Sequence, residues 1–249
     1  MTRRLVRSLT LLTLAALAIG QLSEIGLASS ASAPPALERF LSLTDPTTVT
    51  YRALRRLDAQ CEGFGTSAWM DVWTELDGRG AMQYRIAGEG GSDYIRTSVF
   101  RATLDAEQKM WASGEPDRAG ITMDNYVFED HGSESDGLAW LSIKPRRKER
   151  LLIDGSIFLR PSDGELLRLE GRLAKSPSFW VRRVEIVRRF ERLAGVRMPV
   201  VLESAANLLV GGRATFRMTY EYESVNQRRI GNPQPRTVGS APLQASLQR

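Results

Sequence analysis

From Tyr126 onward the chain is cut repeatedly into short apolar runs by turn signals: Asp136-Gly137, Asp154-Gly155, Asp163-Gly164, Gly195 and Gly211-Gly212. Between them the apolar residues fall on alternate positions, as in Leu167, Leu169 and Leu173, or Val196, Met198, Val200 and Leu202. Alternation means one face of a strand is covered and the other wet, and closely spaced turns join such strands to their neighbours, so the pattern predicts an antiparallel meander. Its clearest member sets Phe216, Met218, Tyr220 and Tyr222 against Thr215, Arg217, Thr219 and Glu221.

Upstream, Val49, Tyr51, Ala53, Leu57 and Ala59 also alternate, although Leu54 leaves a helix open. Ala68, Met70, Val72 and Leu76, the turn Asp77-Gly78-Arg79-Gly80, and then Met82, Tyr84 and Ile86 read as a hairpin. The glycine-rich stretch Gly88-Glu89-Gly90-Gly91 reads as a link into one long helix, capped by Ser92 or Asp93 and ended by Gly114. That helix carries two apolar lines, Ile95, Val99, Ala102, Ala106 and Met110, and separately Phe100, Leu104 and Trp111, which implies cover on more than one side.

The N-terminus has Arg3, Arg4 and Arg7, an apolar run from Leu9 to Gly20, and small residues through Ala28 and Ala33. This is the layout of a secretory signal, and the run is short for a membrane span. The expected organisation is therefore a signal peptide over 1–33, a linker and short helix over 34–48 (Leu37, Phe40 and Leu41 at helical spacing), a β domain over 49–230 and a disordered tail over 231–249. Loss of the signal removes three Arg and one Glu and lowers the formal charge from +5 to +3. The single cysteine, Cys61, rules out an internal disulfide and lipid attachment at a new N-terminus, and reads as a small buried residue.

Common catalytic apparatus is missing. A nucleophile of the Ser-His-Asp or Cys-His type needs a histidine beside it, and the one available, His131, sits in Glu129-Asp130-His131-Gly132-Ser133-Glu134-Ser135-Asp136, which reads as a solvated loop. One His and one Cys are a poor start for zinc. The glycine-rich stretch lacks the Lys-Ser/Thr of a phosphate loop. Carboxylate pairs can be drawn from 29 acidic residues, but none has a local signature. No enzyme, metal or cofactor is expected.

Two basic segments stand out: Lys144, Arg146, Arg147, Lys148 and Arg150, and the strand with Arg182, Arg183, Arg188, Arg189 and Arg192. They read as a solvated turn and an outer sheet face, or as a surface for an envelope protein or an anionic membrane; nucleic acid does not suit an exported chain. In an unbroken strand Arg182 and Arg188 share the face of Trp180, Val184, Ile186 and Phe190. An arginine pointing inward needs a partner and can receive an anionic or carbonyl group of a ligand.

Strand, glycine-rich link, helix, and then hairpins ending in Thr215 to Asn226 is an order that resembles the LolA/LolB superfamily of lipoprotein carriers. Leu152 to Leu159 is similar to that family's Asp-Gly hairpin, and Gly195 to Pro199 to its turn before the closing strands. The resemblance implies a mainly β α+β fold, an antiparallel open half-barrel with a covering helix, that accepts acyl chains. On that reading the chain is a soluble periplasmic carrier of a lipid or lipoprotein. Met70, Val72, Phe100, Trp180, Val184, Phe216, Met218 and Tyr220 line its cavity, and Arg182 and Arg188 make polar contacts. The alternatives are a non-catalytic interaction or sensor module using the basic strand and, further off, a carboxylate-dependent hydrolase.

Overall fold

The computed structural model describes residues 34–43, 46, 48–113, 120–149, 152–175, 181–209 and 211–236, with the side chains of 181–183 excepted. The expected signal peptide, the Gly114 helix end, Trp180 and the side chain of Arg182 lie outside the described residues.

Among the described residues eleven strands form one sheet: β1 (Tyr51–Cys61), β2 (Thr66–Leu76), β3 (Met82–Gly91), β4 (Tyr126–Ser133), β5 (Ala139–Pro145), β6 (Ile153–Leu159), β7 (Leu166–Leu173), β8 (Val181–Leu193), β9 (Val196–Leu208), β10 (Arg213–Val225) and the short β11 (Arg228–Arg229). Their order is β3-β2-β1-β10-β9-β8-β7-β6-β5-β4, with β11 on β10, and every pairing is antiparallel. The sheet is open, with β3 and β4 at its edges. The alternation predicted for Tyr51 to Ala59 is resolved as strand β1, and its pairing with β10 joins the N-terminal three strands to the meander. The interior holds Leu57, Met70, Val72, Ile186, Met198 and Met218, while Arg217, Glu203, Arg189 and Glu221 pair with other charges on the outer face.

Several turn signals mark turns as expected, but Asp154-Gly155 does not: it lies inside β6, where Gly155 faces Gly171 of β7. A Cβ on Gly155 would stand 2.0 Å from the carbonyl oxygen of Glu170, so this glycine serves a close backbone approach rather than a bend. Likewise Gly88 to Gly91 is the end of strand β3 and no link: a Cβ on Gly90 would stand 2.6 Å from the Trp69 indole nitrogen, so the indole lies over bare backbone on the outer face. Glu129 to Ser133, expected as loop, is exposed edge strand, with His131 stacked on Trp140 at 4.6 Å.

Helix α1 (Pro35–Ser42) buries Ala36, Leu37 and Phe40. It is held by Arg39, which donates to the Pro161 carbonyl at 2.6 Å, and by Arg197 over the Phe40 ring at 5.1 Å. Cys61 is buried, as expected, and its thiol reaches the Gly211 carbonyl. Among the described residues no helix is long and apolar enough to cross a membrane.

Ordered structure also continues past the boundary at 231. Residues 231–236 form a strap across the outer face: Gln234 accepts from Arg56 at 2.7 Å, and Arg236 bonds Asp71 and Asp58 at 2.7 and 2.8 Å while lying 4.8 Å from the centre of the Trp69 ring. The strap covers Asp71, whose side chain is wholly buried and also paired with Arg56.

Gly155→Ala is expected to destabilise the fold by about 1–3 kcal/mol, since backbone must move to admit the methyl group. Urea unfolding followed by circular dichroism checks this, and an unchanged midpoint would contradict the close approach.

Candidate ligand site

The apolar face of the sheet is packed against a helical segment that leaves β3 directly. Ser92 caps it by accepting from the Ile95 amide; α2 (Asp93–Ile95) passes through a π-helical turn, Arg96–Arg101, into α3 (Ala102–Ser113). The extra residue in a π turn rotates the succeeding turns of helix about their axis. Its consequence corrects the two-sided cover read from the sequence: Ile95, Val99, Phe100, Thr103, Leu104, Glu107 and Met110 are buried, whereas Ala102 and Ala106 are only partly so. The cover presents one buried face, with two polar residues in it.

The cover is fastened along β3 by several polar links. Arg96 and Arg101 both reach Glu89 at 2.8 Å, Tyr84 donates to Asp105 at 2.5 Å, and Gln108 donates to the Met82 carbonyl at 2.9 Å. Inside, among the described residues, one ion pair ties it to the sheet. Both oxygens of Glu107 accept from Arg55 of β1, at 2.6 and 2.7 Å. Arg55 also donates to Tyr51 Oη at 2.6 Å and lies 4.7 Å from the centre of the Tyr220 ring. Beside it the rings of Phe100 and Phe216 stand 6.0 Å apart.

Burial acts to lower the Arg55 pKa, but the charge of Glu107, aided by Tyr51 and Tyr220, outweighs it and holds the group well above the ordinary range. Desolvation pushes the Tyr51 phenol up to about 12 and raises that of Tyr220 as well. At neutral pH the Arg55 guanidinium is charged and the Tyr51 and Tyr220 phenols are neutral.

Of the residues expected to line a cavity, Met70, Val72, Phe100 and Met218 have no exposed surface, and Val184, Phe216 and Tyr220 are buried. These seven belong to one hydrophobic cluster, Phe100 from the cover and the other six from the sheet. Arg188 points into it from β8, opposite Leu169 and Leu202, and is 4 % exposed. The other described cations of the basic strand are engaged: Arg189 with Glu203 at 3.3 Å and Arg192 with the buried Glu165. The buried carboxylates Asp71, Glu107 and Glu165 are each held by arginine. Among the described residues no three His, Cys, Asp or Glu side chains gather where a metal ion could sit.

Sequence pattern does not single out Arg55, Glu107, Tyr51 or Ser204 as site residues. For Arg55 a signal exists: it occupies the same alternating face as Tyr51, Ala53 and Leu57, and a charge on an apolar face marks a buried partner. Glu107 gives none, because its direction depends on the π turn.

No family model matches the chain, and no curated protein matches it. Among solved structures, it is similar to a LolA superfamily protein from Nitrosomonas europaea, at 13% identity and a TM-score of 0.35, over 81% of this chain and 96% of that one. It is also similar to a DUF1329 family protein from Desulfovibrio piger, at 12% identity and a TM-score of 0.39, over 77% of this chain and 89% of that one.

Glu107→Ala leaves Arg55 buried without its counter-ion and is expected to cost about 3–5 kcal/mol. Replacing both, Arg55→Met with Glu107→Leu, is expected to recover most of that loss. Thermal and urea unfolding of the single and double variants measure the difference, and equal losses in both would deny that the unpaired charge is the cause.

Proposed function

We propose that this chain is an exported periplasmic carrier that holds the acyl chains of a lipid or lipoprotein between its concave sheet and its helical cover. The observation that supports the reading is the way the cover is attached. It is bonded repeatedly along the edge strand β3 but, among the described residues, tied to the sheet's interior by one ion pair, Arg55–Glu107, while its π-helical turn brings Phe100 against Phe216. A π turn interrupts the regular hydrogen-bond ladder and is a place where a helix yields.

Met70, Val72, Phe100 and Met218 are enclosed, so loading requires the cover to swing off the sheet about its attachment to β3. The surface uncovered includes those four with Val184, Phe216 and Tyr220. Acyl chains replace the apolar contacts that the cover gives up, because hydrophobic burial has no directional demand. Two links to the interior, one ionic and one aromatic, are what opening must break.

The test is native mass spectrometry of the mature protein purified from its own envelope, followed by titration with a fluorescent acyl probe. Lipid or lipoprotein masses bound at one per chain, displaced by the probe, are expected. Bare protein that takes up no probe overturns the carrier reading.

A further inference from the structure

Five charged side chains among the described residues are buried: Arg55, Asp71, Glu107, Glu165 and Arg188. Four are matched within the chain. Arg55 and Glu107 hold each other; Asp71 is held by Arg56 and Arg236; Glu165 is held by Arg192 and Arg197. Arg188 is the exception, since its Nε and Nη2 are buried and have no hydrogen-bond partner. Glu107 acts on it through its charge but accepts no hydrogen bond from it, both carboxylate oxygens being directed at Arg55. A buried, unpaired guanidinium costs several kcal/mol relative to a paired one, and desolvation lowers its pKa only to about 10, which leaves it charged at neutral pH.

The surroundings of Arg188 are also short of partners. Ser204, on the same inner face and diagonal to it across the β8–β9 ladder, has a buried Oγ without a hydrogen bond, and Tyr220 Oη on β10 is in the same condition. These are two hydroxyls and a forked cation, all able to donate, inside an apolar chamber. Such a set of donors suits an acceptor that brings its own negative charge, and a guanidinium fork receives carboxylate or phosphate oxygens in pairs.

Resting on the carrier reading above, we infer that the ligand bears one negative charge on its head group, a carboxylate or a phosphodiester attached to acyl chain, and that this group seats on Nε and Nη2 of Arg188 with Ser204 and Tyr220 as further donors. The interior then holds two cations and two anions. A neutral ester or glycerolipid would leave the cation unmatched, so the site selects by charge as well as by apolar length.

The experiment uses the mature full-length protein and two ligand pairs: a long-chain fatty acid against its methyl ester, and phosphatidylglycerol against diacylglycerol, each measured by displacement of an acyl probe. At least tenfold tighter binding of the charged member is expected in one pair, and the pair that shows it identifies carboxylate or phosphodiester. Arg188→Met is expected to abolish the preference while the neutral member binds as before. Equal binding of charged and neutral members in both pairs overturns this inference and leaves the carrier reading in place; binding of none of the four overturns both. Folding of the variant is checked separately. Ligand-free Arg188→Met is expected to melt at a higher temperature than the parent chain, because an unmatched buried charge is gone, and a lower melting temperature would mean that Arg188 serves the fold and would overturn its assignment to the ligand.

Discussion

The ladder between β1 and β10 is the pairing on which everything else depends. It runs the full length of β1, from Tyr51 opposite Val225 to Cys61 opposite Ala214, and joins strands from the two ends of the β domain. Without it the N-terminal three strands and the meander would be two separate sheets. Each would expose one apolar face and carry half of a polar cluster. The same ladder sets Arg55 opposite Tyr220 and so brings the β1 cation against a β10 ring. Non-local pairing of this kind fixes register strongly, because a slip by one residue would turn Arg55 and Leu57 out to solvent and Arg56 and Asp58 into the core.

With that sheet in place, charge is arranged differently on its two faces. Outside, Arg56, Asp58, Asp71 and Arg236 make a network that the strap closes over, with Trp69 beneath it on bare glycine backbone. This network is satisfied by the chain itself. Inside, Arg55 and Glu107 hold each other through a bidentate bond, while Arg188 Nε and Nη2, Ser204 Oγ and Tyr220 Oη are buried without a hydrogen-bond partner. Unpaired buried polar groups are rare in folded proteins and call for a specific cause. Here three of them face one apolar interior from adjoining strands.

Much of the sheet was legible because alternation and turn signals are local. Phe216 to Tyr222, the hairpin through Asp77, and the bends at Gly137, Gly164 and Gly195 follow from residues that sit next to one another. What escaped was set by distant contact. Gly155 looks like a turn residue because a turn and a close backbone approach both require the missing Cβ, and only the facing Gly171 tells them apart. The phase of the helix is changed by a π turn that leaves no mark in residue type, so Glu107 was hidden although its partner position on β1 was readable. The strap is held by Arg56 at the Gln234 carbonyl and by Arg236 between two carboxylates and an indole, and such isolated anchors in a Pro- and Asn-containing stretch make no periodic pattern. Arg188 was legible as an inward residue from its spacing with Val184 and Ile186, but its lack of a partner is a property of the whole interior.

The closed interior and the unmatched cation pull in opposite directions, and their balance bears on how such a cover opens. Closure buries the apolar faces of the cover and the sheet at roughly 25 cal/mol per Å², and the bidentate Arg55–Glu107 bond adds direction to it. Against this, closure around Arg188 leaves its buried Nε and Nη2 without a hydrogen-bond partner, a cost that an anionic group reaching them would relieve. Acyl chain restores about 0.8 kcal/mol per buried methylene, so a dozen methylenes offset on the order of 10 kcal/mol of lost cover contact. A ligand that brings both the chain and the charge therefore gains from two terms where a neutral one gains from one. On the proposed carrier reading, the shift between closed and loaded forms is set by that difference in affinity and not by apolar length alone.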